Sequence, residues 1–94
     1  MNIRRIVLDV DKAIARPTLI EITAAIEAVP GVHGLNITVT EIDIETVGTN
    51  VTVEGENLDY DSLVKAIEST GAVVHSIDQI VAGKEIIEAV TRRR

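Results

Sequence analysis

Cysteine is absent from this 94-residue chain, as are phenylalanine and tryptophan, and Tyr60 is its one aromatic residue. Without thiols there is no disulfide, no thiolate metal site, no iron–sulfur cluster and no thiol nucleophile. Without aromatics on its strands the chain has no platform on which RNA bases could stack. No apolar run approaches the roughly 20 residues of a membrane span. Met1-Asn2-Ile3-Arg4-Arg5 has neither the apolar stretch nor the cleavage site of a signal peptide. A soluble, cytoplasmic protein is expected. Basic charge is also scarce: nine Lys and Arg stand against fifteen Asp and Glu, and a net charge of −6 repels phosphate backbones. The basic residues gather in Arg4-Arg5 and Arg92-Arg93-Arg94. They read as solvated termini or complementary patches in an oligomer rather than as a nucleic-acid arm.

What is present is aliphatic. Hydrophobic residues make up 46% of the chain, enough for one globular domain over residues 1–94 and too many for disorder. Ile6, Leu8 and Val10 alternate with Arg5, Val7, Asp9 and Asp11, so residues 3–11 read as a strand with one buried face. Lys12 to Arg16 form a connection closed by Pro17. Thr18 and Glu21 have the spacing of a capping box, and Leu19, Ile22, Ile26 and Val29 make the buried stripe of a first helix. Pro30-Gly31 must stop it.

Leu35, Ile37 and Val39 then alternate with Asn36, Thr38 and Thr40 in a second strand. The phase slips beyond it, because Glu41, Asp43 and Glu45 fall where apolar residues would have continued. A β-bulge, or a strand running past its core, gives such a slip. Thr46 to Asn50 read as a turn, with Gly48 and Asn50 able to take positive φ, and Val51 to Glu54 as a third strand paired to the second in a hairpin. Asp59 caps a second helix whose stripe is Tyr60, Val64 and Ile67, with Leu58 stapled on Leu63 and Gly71 at its end. Residues 72–82 form a fourth strand of poor alternation, whose faces the pattern leaves unassigned. After Gly83, the tail over 84–94 carries a short amphipathic helix from Glu85 to Thr91 with Ile86, Ile87 and Val90 on one side.

The order β-α-β-β-α-β, with short right-handed crossovers, predicts an α+β ferredoxin-like sandwich. Two helices cover one face of a four-stranded antiparallel sheet and leave the other to solvent or a partner. Many functions use this fold, so function must be argued from sites. The loop after strand one lacks the paired thiolates of a copper chaperone and the glycine-rich phosphate cradle of an acylphosphatase. A regulatory module of the ACT type, sensing a small metabolite between subunits, stays open as the alternative, since Pro30-Gly31-Val32 resembles its helix-to-strand passage. Carboxylates are the richest material. Asp9 and Asp11 share a face of strand one, and Glu41, Asp43 and Glu45 one of strand two. Hard oxygen ligands suit calcium or magnesium. The candidate metal residues are Asp9, Glu41, Asp43, His75 and Asp78, against the plainer reading of a solvated edge that blocks aggregation. No catalytic constellation can be assembled, and a non-enzymatic role is expected.

Several segments read together carry a resemblance: Arg5-Ile6-Val7-Leu8-Asp9, Gly31-Val32-His33-Gly34-Leu35-Asn36-Ile37-Thr38, Glu41-Ile42-Asp43-Ile44-Glu45-Thr46, Leu58-Asp59-Tyr60-Asp61, and His75-Ser76-Ile77-Asp78 running to Val81-Ala82-Gly83. Over nearly the whole chain they resemble the archaeal domain-of-unknown-function 211 family. At positions 35 and 44 relatives are expected to carry other side chains. The resemblance implies a ferredoxin-like fold and ring-shaped homo-oligomers, and brings no established activity with it. Uncovered apolar residues point the same way. Val7, Ile42 and Ile44 fall on faces that the helices would not cover, and a neighbouring subunit supplies the cover.

Overall fold

A computed structural model describes residues 1–90. Its elements are β1 (Ile3–Ala13), α1 (Leu19–Glu27), β2 (Val32–Ile42), β3 (Thr46–Gly55), α2 (Tyr60–Ser69) and β4 (Val73–Ala82). The strands form one antiparallel sheet in the order β2-β3-β1-β4. Each helix joins two strands that are separated by a third, which is the ferredoxin-like arrangement. The slab is 17 Å thick, enough for one sheet and one layer of helices.

Alternation in β1 decides what the helices cover. Ile6, Leu8 and Val10 are fully buried, together with Val51 and Val53 of β3, Ile22 and Ile26 of α1, and Leu63 and Ile67 of α2. The same face of β1 continues to Lys12, whose aliphatic stem is buried while its ammonium donates to the carbonyls of Ala13 (2.7 Å) and Ile14 (3.1 Å). Thr49, also buried, donates its hydroxyl to the Val10 carbonyl at 2.8 Å.

α1 begins as its sequence requires. The Thr18 hydroxyl accepts from the Glu21 backbone N–H, and the Glu21 carboxylate accepts from the Thr18 N–H in return. Asp59 occupies the N-cap of α2, but its carboxylate accepts from the Ser62 hydroxyl rather than from a backbone N–H. Leu58 and Leu63 are both buried there. Gly31, at φ 91°, lets the Glu56 N–H reach the Gly31 carbonyl at 3.0 Å. A side chain at Gly31 would overlap the Glu56 carbonyl, and one at Gly55 would overlap that of Gly31.

Three expectations are corrected. Thr46 to Asn50 are strand, not turn: β1 reaches Ala13 and pairs with β3 back to Thr46, which moves the hairpin turn to residues 43–45. Glu41, Asp43 and Glu45 therefore do not share a strand face, because β2 ends at Ile42. The predicted C-terminal helix is not formed over residues 85–90, while Thr91 lies outside the described residues. So short a segment cannot offset helix nucleation. It is instead anchored along the sheet: Arg4 Nη1 donates to the Lys84 carbonyl (2.9 Å) and Arg5 Nη1 to Glu88 (2.8 Å).

Candidate functional site

The uncovered face of the sheet and its two outer strands hold the groups with chemistry. Cross-strand register sets that face out in rows. Thr38, Asn50, Asp9 and Ser76 form one row, and Asn36, Thr52, Val7 and Gln79 form the next. Asp11 lies opposite Gly48, which lies opposite Glu41. The absence of a side chain at Gly48 leaves a gap there, and a Cβ would stand 3.6 Å from Asp11 Oδ1, the Glu41 Cβ and Thr40 Oγ1.

Two of the five candidate metal residues sit where β4 departs from regular pairing. Val7 pairs with Gln79 and Leu8 with Ile77, so Asp78 has no opposite residue. Asp9 pairs with Ser76 and Val10 with Val74, which leaves out His75 in the same way. These irregularities assign the faces that alternation could not. Val74, Ile77 and Ile80 follow the helix side, and Val73, Ser76 and Gln79 the open side, a spacing of three residues instead of two. The Ser76 hydroxyl donates to Asp78 Oδ1 at 2.9 Å, beside the row that contains Asp9.

The other candidates lie at the far end of β2. A register shift between Val39 and Glu41 is the expected bulge, and past it Glu41 is on the open face while Ile42 pairs with buried Val47. Ile42 is nonetheless 72% exposed, because the helices do not extend over it. Asp43 serves the turn: its N–H donates to the Thr46 carbonyl (2.8 Å) and its Oδ1 accepts from the Ile44 N–H (2.7 Å). The structure thus brings Asp9 near Ser76 and Asp78, and Glu41 near Asp11, but places Asp43 in a turn and His75 in a bulge. Among the described residues, no three His, Asp or Glu side chains converge as metal ligands would.

Arg5 organises the opposite end of the open face. Its Nε donates to Glu54 Oε2 at 2.7 Å, and Nη1 to Glu88 Oε1 at 2.8 Å and Gln79 Oε1 at 3.4 Å. Hydrogen bonding from this guanidinium holds the Glu88 carboxyl below the ordinary carboxylate range. The two carboxylates in turn push the guanidinium further up. Arg4 Nε donates to the Gly55 carbonyl at 3.1 Å. Sequence reasoning took Arg4-Arg5 for a terminal charge patch and missed this clamp, because its partners are about fifty or eighty residues away along the chain. Beside the clamp a groove of about 390 Å³ is lined by His33, Gly34, Leu35, Asn36, Thr52 and Glu54. No helix among the described residues is long and apolar enough to cross a membrane.

Comparison with known proteins gives the family. The model of the family DUF211, described as uncharacterized ArCR, matches residues 4–94. The uncharacterized protein MJ0319 of Methanocaldococcus jannaschii is 49% identical over 89 residues, spanning 95% of this chain and 91% of that protein.

Proposed function

From the premise that the chain belongs to the archaeal DUF211 family, we propose that it works in the cytoplasm as a non-enzymatic, ring-forming homo-oligomer that holds divalent cations at its subunit contacts. The observation that carries this reading is the placement of its uncovered apolar residues. Ile42 and Ile44 stand 72% and 87% exposed at the β2–β3 hairpin, and Val73, Ile77 and Ile80 are 56%, 45% and 45% exposed along β4. These are two different surfaces on opposite margins of the sheet. A contact that joins one to the other in a neighbour is heterologous, and a heterologous contact that closes makes a ring.

The same geometry supports cation binding. Asp9 and Asp78 lie toward the β4 margin, while Glu41 and Asp43 lie toward the hairpin. Apposition of the two margins brings carboxylates of two subunits together, with His75 in the β4 bulge beside them. Calcium or magnesium would offset the repulsion between them. The test is sedimentation with and without chelator, together with melting curves over a calcium and magnesium titration. A ring whose melting temperature rises with the cation supports the reading. An unchanged melting temperature removes the cation, and a monomer removes the ring.

The groove of about 390 Å³ favours a second reading, an ACT-like module sensing a metabolite, since its volume suits a small ligand and it lies beside the Pro30-Gly31 passage into β2. That reading expects a selective thermal shift with one metabolite class and loss of the shift in Asn36→Ala.

A further inference from the structure

At the end of the sheet where β1 finishes, charges of both signs line one cavity without neutralising one another. Ala13 lies opposite Thr46 of β3 and Asp11 opposite Val73 of β4, so the last residues of β1 meet the first of both neighbours there. A cavity of about 220 Å³ opens between them, with Asp11, Lys12, Ala13, Glu45 and Val73 in its lining. Lys12 is 7% exposed. Its partners are the carbonyls of Ala13 and Ile14, which take two of its three protons and carry no charge. A buried ammonium ordinarily has a counter-ion. Among the described residues, ion pairs join Arg5 to Glu54 and Glu88, and Arg16 to Glu21, and none of them uses Lys12, Asp11 or Glu45.

We propose that this cavity binds a zwitterionic α-amino acid with a small aliphatic side chain. The ligand's carboxylate accepts from the remaining Lys12 N–H, and its ammonium donates to Asp11 and Glu45. Charge complementarity selects the class. A simple anion gains Lys12 but faces two carboxylates, and a simple amine leaves Lys12 without a counter-ion. A zwitterion answers both signs at once. Ala13 and Val73 supply an apolar wall. The volume is below the roughly 300 Å³ at which pockets for drug-sized ligands begin, which limits the side chain to a few carbons. The site shares no residue with the candidate cation ligands Asp9, Glu41, Asp43, His75 and Asp78, nor with the groove beside Arg5. Val73 also stands on the β4 margin that meets a neighbour in the ring reading, so binding is measured on the assembled protein.

Titration calorimetry with L-valine at neutral pH tests the site, with isovalerate as the same skeleton lacking the amine and isobutylamine as the one lacking the carboxylate. L-Valine is expected to bind, and each half at least about tenfold more weakly, as loss of one charge-assisted contact implies. Asp11→Asn, at a half-buried position, should weaken L-valine by about tenfold and leave isovalerate unchanged. Lys12→Met keeps the buried stem and should abolish L-valine binding; if it does not fold, Asp11→Asn decides alone. No binding of L-valine, binding no tighter than that of its halves, or full binding in Asp11→Asn would overturn the proposal. So would a loss in Asp11→Asn that merely accompanies a lower assembled mass. Binding lost in Asn36→Ala but kept in Asp11→Asn would place the ligand in the groove of the second reading, and overturn this site while leaving that reading standing.

Discussion

β2 and β4 close the same sheet on opposite sides, and the chain treats them differently. β2 pairs with β3 without a slip from Gly34 to Val39. β4 pairs with β1 through three irregularities, two of them extra residues of β4, Asp78 and His75, and the third at Arg4 of β1. Each bulge removes a residue from the ladder and turns the strand, so β4 cannot offer a regular row of free backbone groups. What it offers instead is side chains: exposed Val73 on the open side and half-exposed Ile77 and Ile80 on the helix side, with Asp78 and His75 in the bulges between them. One edge presents a regular row of backbone groups and the other presents side chains. Two unlike edges on one small sheet are what a heterologous contact, joining one margin to the other in a neighbour, would use.

The comparison can be broken or sharpened by substitution. The largest effect belongs to neither edge. Leu8→Ala empties a fully buried position under both helices and should cost about 2–5 kcal/mol in urea unfolding, loosening β2 and β4 alike. Thr18→Ala removes half of the capping box of α1, at about 1 kcal/mol. Because α1 packs over β2 and α2 over β4, amide exchange should quicken in β2 and leave β4 nearly unchanged. Thr38→Lys and Val73→Lys place a charge on each edge at exposed positions, so stability should move by less than about 0.5 kcal/mol. Each should instead lower the assembled mass. Smallest is Glu88→Gln, which loosens the tail from Arg5 and should speed exchange over residues 84–90 while β2 is unaffected.

Acid acts at both sides. Glu21, through the Thr18 N–H and Arg16, and Glu88, through Arg5, ionise more readily in the folded chain than at the ordinary value of 4.5. Their contribution is therefore complete above that value and is lost as pH falls through the lower folded values. Unfolding followed from pH 6 downward should show stability level at first and falling below about 4.5, with Glu88→Gln showing a shallower fall than the parent.

The regular half of this structure was legible because local rules act alone there. Ile6, Leu8 and Val10 alternate, Thr18 and Glu21 have capping spacing, and the phase slip at Thr40 signals its bulge. β4 was illegible for a physical reason: bulges at His75 and Asp78 change its repeat from two residues to three, which no pattern of alternation can express. The tail misled because Ile86, Ile87 and Val90 have helical spacing, while what places the segment is Arg4 and Arg5 at the other end of the chain. Buried Lys12 and Thr49 were missed likewise, since both are satisfied by backbone carbonyls. Of the site, Asp9 and Asp11 were correctly placed on one face. The grouping of Glu41, Asp43 and Glu45 was not, because the hairpin turn falls earlier than Gly48 and Asn50 suggested.

The central claim is that both unlike edges are occupied by further copies of this chain. Native mass spectrometry, with and without chelator, tests it most directly. The account predicts one discrete mass of several subunits, falling to smaller species in Val73→Lys. A parent chain that flies as a monomer in both conditions would contradict it.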